Sequence, residues 1–115
     1  MTSAYYFAVL FFWLIVAHAV CDYPLQGDFL AKGKNHRFPL PGVSPWICLF
    51  AHAAIHAGGV ALVTGHVTLG LIELILHIAI DRMKVNGWFG FESDQLLHVL
   101  CKCVYVAVLA GGILK

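Results

Sequence analysis

The sequence predicts an all-α protein: a four-helix transmembrane bundle running up-down-up-down, with a short interfacial helix after the first span. Three observations predict it. Of 115 residues, 61% are hydrophobic and only 11% are charged, with a mean hydropathy of +0.85; a soluble domain carries about 25% charged residues. The apolar residues fall into four runs that each approach the ~20 residues needed to cross a bilayer. These runs lack period-2 alternation, and lipid offers no partners to backbone groups, so helices satisfy them better than a closed barrel. The length allows one domain. Composition excludes a disordered chain, a secreted disulfide scaffold and an ordinary cytosolic enzyme. A net charge of +1 leaves no basic surface for nucleic acid.

The first span covers residues 3–21 and carries no formal charge. It lacks a positive leading segment and a small-residue cleavage site, so it reads as a retained span rather than a signal peptide. The second covers residues 45–63, announced by Ser44 as N-cap and Pro45 at the first helical position. Thr64-Gly65-His66 turns the chain into the third span, residues 67–82. Glu92 or Ser93 caps the fourth, residues 94–114. The first long connection is punctuated by Pro24, Gly27, Gly33, Pro39, Pro41 and Gly42, and its segment 25–32 suits an interfacial helix. The second carries Trp88, Phe89 and Phe91, which suit an aromatic belt. These two connections hold Lys32, Lys34, Arg37, Arg82 and Lys84, five of the seven Lys and Arg, whereas Lys115 lies on the other side. The positive-inside rule then puts the connections in the cytosol and both termini outside.

Each span holds two potential metal ligands four residues apart: His18/Asp22, His52/His56, His77/Asp81 and Asp94/His98. Residues at i and i+4 share a helix face, so each pair points one way. Thirteen His, Asp and Glu placed at random would give about 1.4 such pairs, whereas the chain has five, counting Glu73/His77. In an up-down-up-down chain all four pairs converge near the cytosolic interface. At ~1.5 Å per residue, His18, His77 and His98 lie about 6 Å deeper than their partner carboxylates. So many ionisable groups in a bilayer need partners, and a divalent metal supplies one. Zinc is the first choice, with manganese and iron as alternatives, and eight donors suffice for one ion or two. Glu73 and Lys102 lie at matching depth on the third and fourth spans, each about 12 Å inside the rim, and are expected to form an ion pair.

Asp22 and Asp94 are the candidate catalytic bases. Gln26 and Gln95, with Glu73 and Lys102, are expected to orient ligands or water from behind. Lys32, Lys34 and Arg37 are candidates for attracting a substrate phosphate. Cys21, Cys48, Cys101 and Cys103 show no C-x-x-C spacing and read as inert packing. His36 and His66 have no spaced partner and read as solvated. Ala57-Gly58-Gly59 and Ala110-Gly111-Gly112 allow close helix approach within or between chains, which leaves a homo-oligomer open.

The ordered motifs resemble a family of small phage and prophage membrane proteins known only as a domain of unknown function. Its pattern reads here as His18-x3-Asp22-Tyr23-Pro24-Leu25-Gln26, Lys34-Asn35, His52-x3-His56, His77-x3-Asp81 and Asp94-Gln95-x2-His98. That resemblance implies a four-span protein of the bacterial inner membrane. The style of the His/Asp motifs is also similar to bacterial membrane-bound metal-dependent hydrolases. The expected function is therefore metal-dependent hydrolysis of a lipid or lipid-linked (phospho)ester at the cytosolic face. Two alternatives belong to other classes: a metal or proton transporter, and a non-catalytic phage effector with a structural metal.

Overall fold

A computed structural model describes residues 2–114; Met1 and Lys115, the latter counted above for orientation, lie outside the described residues. Among the described residues there are five helices and no strand: α1 (Ser3–Asp22), α2 (Gly27–Gly33), α3 (Pro45–Thr64), α4 (Val67–Val85) and α5 (Phe91–Ala110). The ends follow local chemistry. The Thr2 hydroxyl accepts the Tyr5 amide at 3.1 Å and starts α1. Ser44 accepts the Ile47 amide at 3.4 Å and starts α3, with Pro45 just inside. Gly65, at φ +74°, closes α3 in the left-handed conformation that a side chain would strain. The short helix after α1 is present, starting two residues later and ending one later than the expected 25–32.

Three boundaries differ from expectation by three residues or more: α4 runs on to Val85 instead of ending at 82, and both ends of α5 move. α5 begins at Phe91 rather than Asp94, with Gly90 at its N-cap and no side-chain cap. Glu92 and Asp94 thus sit inside the first turn, where carboxylates complement the helix dipole. The same helix stops at Ala110, so Gly111 and Gly112 lie beyond its end instead of at a helix contact.

Three helices, α1, α3 and α5, are long and apolar enough to cross a membrane. α4 has the length but carries Glu73, Asp81, Arg82 and Lys84, so composition alone does not mark it. α1 packs on α3 and α5, and α4 packs on the same two, so the four long helices close a ring. α2 lies against α3, where Gly33 leaves no room for a side chain beside Cys48. The exterior is apolar, with Phe12, Trp13, Leu62, Ile75 and Val104 all exposed, as a lipid-facing surface requires. One half of the interior is a conventional core of Leu10, Leu14, Val60, Leu69 and Tyr105. The other half is polar.

Close approach of α3 and α4 depends on Gly70, which the small-residue motifs did not flag. A methyl there would lie 2.8 Å from the Ala57 carbonyl oxygen and 3.0 Å from the Ala61 Cβ, neither of which can move aside alone. Gly70→Ala is expected to cost about 1–3 kcal/mol by overpacking. Gly58→Ala meets nothing within 4 Å and should be neutral or slightly stabilising, by up to about 1 kcal/mol. Unfolding in detergent checks both; equal effects would mean that the α3–α4 contact is not this close.

Candidate metal centre

The four i, i+4 pairs all turn inward and meet. They come from the last turns of α1 and α4, the middle of α3 and the first turns of α5. His18, His52, His56, His77, Asp81, Asp94 and His98 are buried, and Asp22 is nearly so. Asp22 Oδ1 lies 3.2 Å from His56 Nε2 and 3.3 Å from His52 Nε2. Asp81 Oδ1 lies 3.3 Å from His98 Nε2, and its Oδ2 lies 3.6 Å from both His52 Nε2 and His77 Nε2. Asp94 Oδ1 is 3.5 Å from His98 Nε2. The His56 and His77 rings stack at 3.9 Å, and His77 and His98 at 4.2 Å.

Three donor sets emerge in which one atom from each residue falls within 4.8 Å of all the others. The first is Asp22, His52, His56 and His77, and the second is Asp81, Asp94 and His98; the third, Glu73, His77 and His98, shares His77 with the first and His98 with the second. Asp81, touching ligands of the first two, joins them. A divalent ion fits the first set on a specific ground: both ring nitrogens of His52 and Nε2 of His77 are buried without a hydrogen-bond partner. An imidazole brings one N–H and one lone pair, and leaving such a group unpaired costs about 1–3 kcal/mol. Nitrogen and carboxylate oxygen are standard donors for Zn²⁺ and its neighbours.

A second layer fixes the rings. Glu73 Oε1 accepts from His77 Nδ1 at 3.1 Å and from Lys102 Nζ at 2.8 Å, while the Tyr105 hydroxyl donates to Glu73 Oε2. With Nδ1 carrying the proton, His77 turns its Nε2 lone pair toward the donor set, the usual arrangement behind a ligating histidine. The Glu73–Lys102 pair expected from matching depth is present. Gln95 knits the opposite wall: Nε2 donates to Asp22 Oδ2 at 2.9 Å and Asp94 Oδ2 at 3.1 Å, and Oε1 accepts from His18 Nε2 at 3.1 Å. His18 thereby orients Gln95 and belongs to none of the donor sets.

Several expected residues stand elsewhere. Gln26 donates to the Asp22 backbone carbonyl at 3.0 Å and not to the site carboxylates. Lys34 Nζ is 2.8 Å from Asp81 Oδ2, so it is a counter-ion of the cluster instead of a free surface charge. Lys32 and Arg37 are exposed. His36 and His66 are half-buried rather than solvated; His66 occupies the N-cap of α4, and His36 Nδ1 is enclosed without a partner. None of the four cysteines is in a disulfide; Cys21 and Cys48 are buried as packing residues, Cys101 is partly buried, and Cys103 is exposed rather than packed.

Two residues were missed. Lys84, with Nζ 3.8 Å from Asp94 Oδ2, sits three residues after Asp81 on the same face of α4. Tyr105 sits three after Lys102. Both spacings were readable. Above the cluster, a cavity of about 300 Å³ is lined by Ala31, Lys34, Asn35, Asp81, Lys84 and Val85, and it leads from the α2 side to Asp81.

The chain belongs to the family DUF3307, described as proteins of unknown function, whose sequence model matches residues 10–112. Searches of the curated proteins and of the solved structures gave no match.

Proposed function

We propose that this DUF3307 protein is a membrane-embedded, metal-dependent hydrolase acting on a lipid or lipid-linked phosphoester at the cytosolic face. On this reading α1, α3, α4 and α5 all span the bilayer as a four-helix bundle, with α4 shielded by its neighbours. The motif resemblance adds a phage-related setting in a bacterial inner membrane. The observation that carries the reading is the set of buried, unpartnered ring nitrogens of His52 and His77 facing Asp22 and His56. Polar atoms this deep without partners are expected only where a ligand completes them.

Asp22, His52, His56 and His77 would hold one ion; Asp81, Asp94 and His98 offer a second place. A bound divalent ion with an open position lowers the pKa of coordinated water toward about 7 and polarises a phosphoester. The chain's own residues divide the remaining work. Asp22, hydrogen-bonded to His56 and Gln95, is better suited to ligation than to proton transfer. Asp94, whose Oδ1 has no hydrogen-bond partner, is the better general base.

Transport is the weaker alternative. The polar path from Asp81 through His77 and Glu73 ends on Leu10, Leu14, Val60 and Leu69, an apolar plug with no further step. Elemental analysis of the detergent-purified protein is expected to find one or two divalent ions per chain, with hydrolysis of lipid phosphoesters lost in Asp94→Asn while metal is retained. Metal-loaded protein that moves Zn²⁺ into liposomes without turnover would favour transport, and a protein without metal would end the hydrolase reading.

A further inference from the structure

Two cations line the cavity above the cluster. Lys34, at the C-terminal end of α2, and Lys84, in the last turn of α4, line it together with Asn35. The Asn35 carboxamide oxygen already accepts the Arg37 and Phe38 amides, at 3.0 and 3.3 Å, which leaves its NH₂ end as the free donor. Asp81 is the one acid in the lining. A volume of about 300 Å³ matches the low end of small-ligand cavities, roughly 300–1,000 Å³. It suits a headgroup and not a chain.

At present both ammonium groups rest on carboxylates of the second donor set, Lys34 on Asp81 at 2.8 Å and Lys84 on Asp94 at 3.8 Å. Glu73 is already neutralised by Lys102. Counting carboxylates and ammonium groups, Asp22, Asp81 and Asp94 outweigh the two lysines by one negative charge. An anion is repelled. A divalent ion bound among these groups inverts that sign and weakens the hold of Asp81 and Asp94 on the lysines. Their four-carbon stems can then turn their heads into the cavity. Lys84 has the room to do so, since its side chain is 38% exposed.

We propose that Lys34, Lys84 and Asn35 form a phosphate subsite that opens when metal binds beneath it. The inference rests on the metal reading above and narrows the substrate to one with a terminal phosphate or pyrophosphate. Lysine as a point charge with three donors is a standard phosphate partner. The ligand chemistry is shared by a lipid headgroup and a soluble phosphate.

The test uses full-length protein in phosphatidylcholine nanodiscs, either zinc-loaded or chelator-stripped, titrated with inorganic phosphate. Saturable binding is expected only in the loaded protein. Lys34→Gln and Lys84→Gln should each weaken it about tenfold or more without lowering bound zinc, and Lys32→Gln, at an exposed position outside the cavity, should not. Lys84→Gln guards against misfolding, because Lys84 is the more exposed of the two. Competition by phosphatidic acid in the disc assigns the subsite to a lipid headgroup; no competition assigns it to a soluble phosphate, and either supports the subsite. Equal binding in the variants, or with and without zinc, overturns it. Protein that loads zinc but ignores phosphate sinks the subsite alone, whereas protein that takes up no zinc sinks the metal reading and the gate together.

Discussion

Glu73→Leu is expected to destabilise the protein by about 3–5 kcal/mol, the range for removing one partner of a buried ion pair. Glu73 is fully buried, and Lys102 is 1% exposed. Removal of the carboxylate strands the Lys102 ammonium in the interior, deprives the Tyr105 hydroxyl of its acceptor and frees His77 Nδ1. Glu73→Leu combined with Lys102→Leu should recover most of the loss, because exchange of a whole buried pair for apolar groups is often close to neutral. The double variant should still bind metal about 10–100-fold more weakly, since His77 has lost the group that fixes its ring. Unfolding in detergent gives the first quantity, and competition with a chromophoric chelator gives the second. A double variant that folds and binds metal normally would reduce Glu73 to a filler of the core.

How far the sequence reached is seen in the same residues. The i, i+4 spacing brought His52, His56, His77 and Asp81 to one place because helix periodicity fixes the face, and alternating chain direction fixes the end. Depth counted in residues likewise paired Glu73 with Lys102. Lys34 resisted that logic: it lies 47 residues from Asp81, at the end of a short helix whose path no periodicity dictates. Capping rules pointed to Ser93 or Glu92 as the start of α5, but Gly90 takes the N-cap without any side-chain bond. Ligand identity was harder still. His18 resembles His77 by spacing, yet its Nε2, 3.6 Å from Asp22 Oδ2, is engaged by Gln95 Oε1 at 3.1 Å and joins no donor set.

A histidine kept for a ligand should trade stability against binding, and His52 offers the sharpest case. Its side chain is fully buried, and neither ring nitrogen has a hydrogen-bond partner. In metal-free protein such an imidazole is a liability worth about 1–3 kcal/mol. His52→Leu, close in volume and free of polar atoms, is therefore expected to leave the chelator-stripped protein as stable as before, or more stable by up to that amount. Metal affinity should move the opposite way. It should fall by more than the roughly 10–100-fold that follows loss of an outer partner, because a direct donor is gone. The stabilisation that metal confers on the parent, which grows with free metal above its dissociation constant, should vanish with it. Lys32→Gln, at an exposed position outside the donor sets, should change neither quantity. If His52→Leu instead destabilises the stripped protein by several kcal/mol, His52 is an ordinary packed core residue and its open nitrogens have no bearing on a metal.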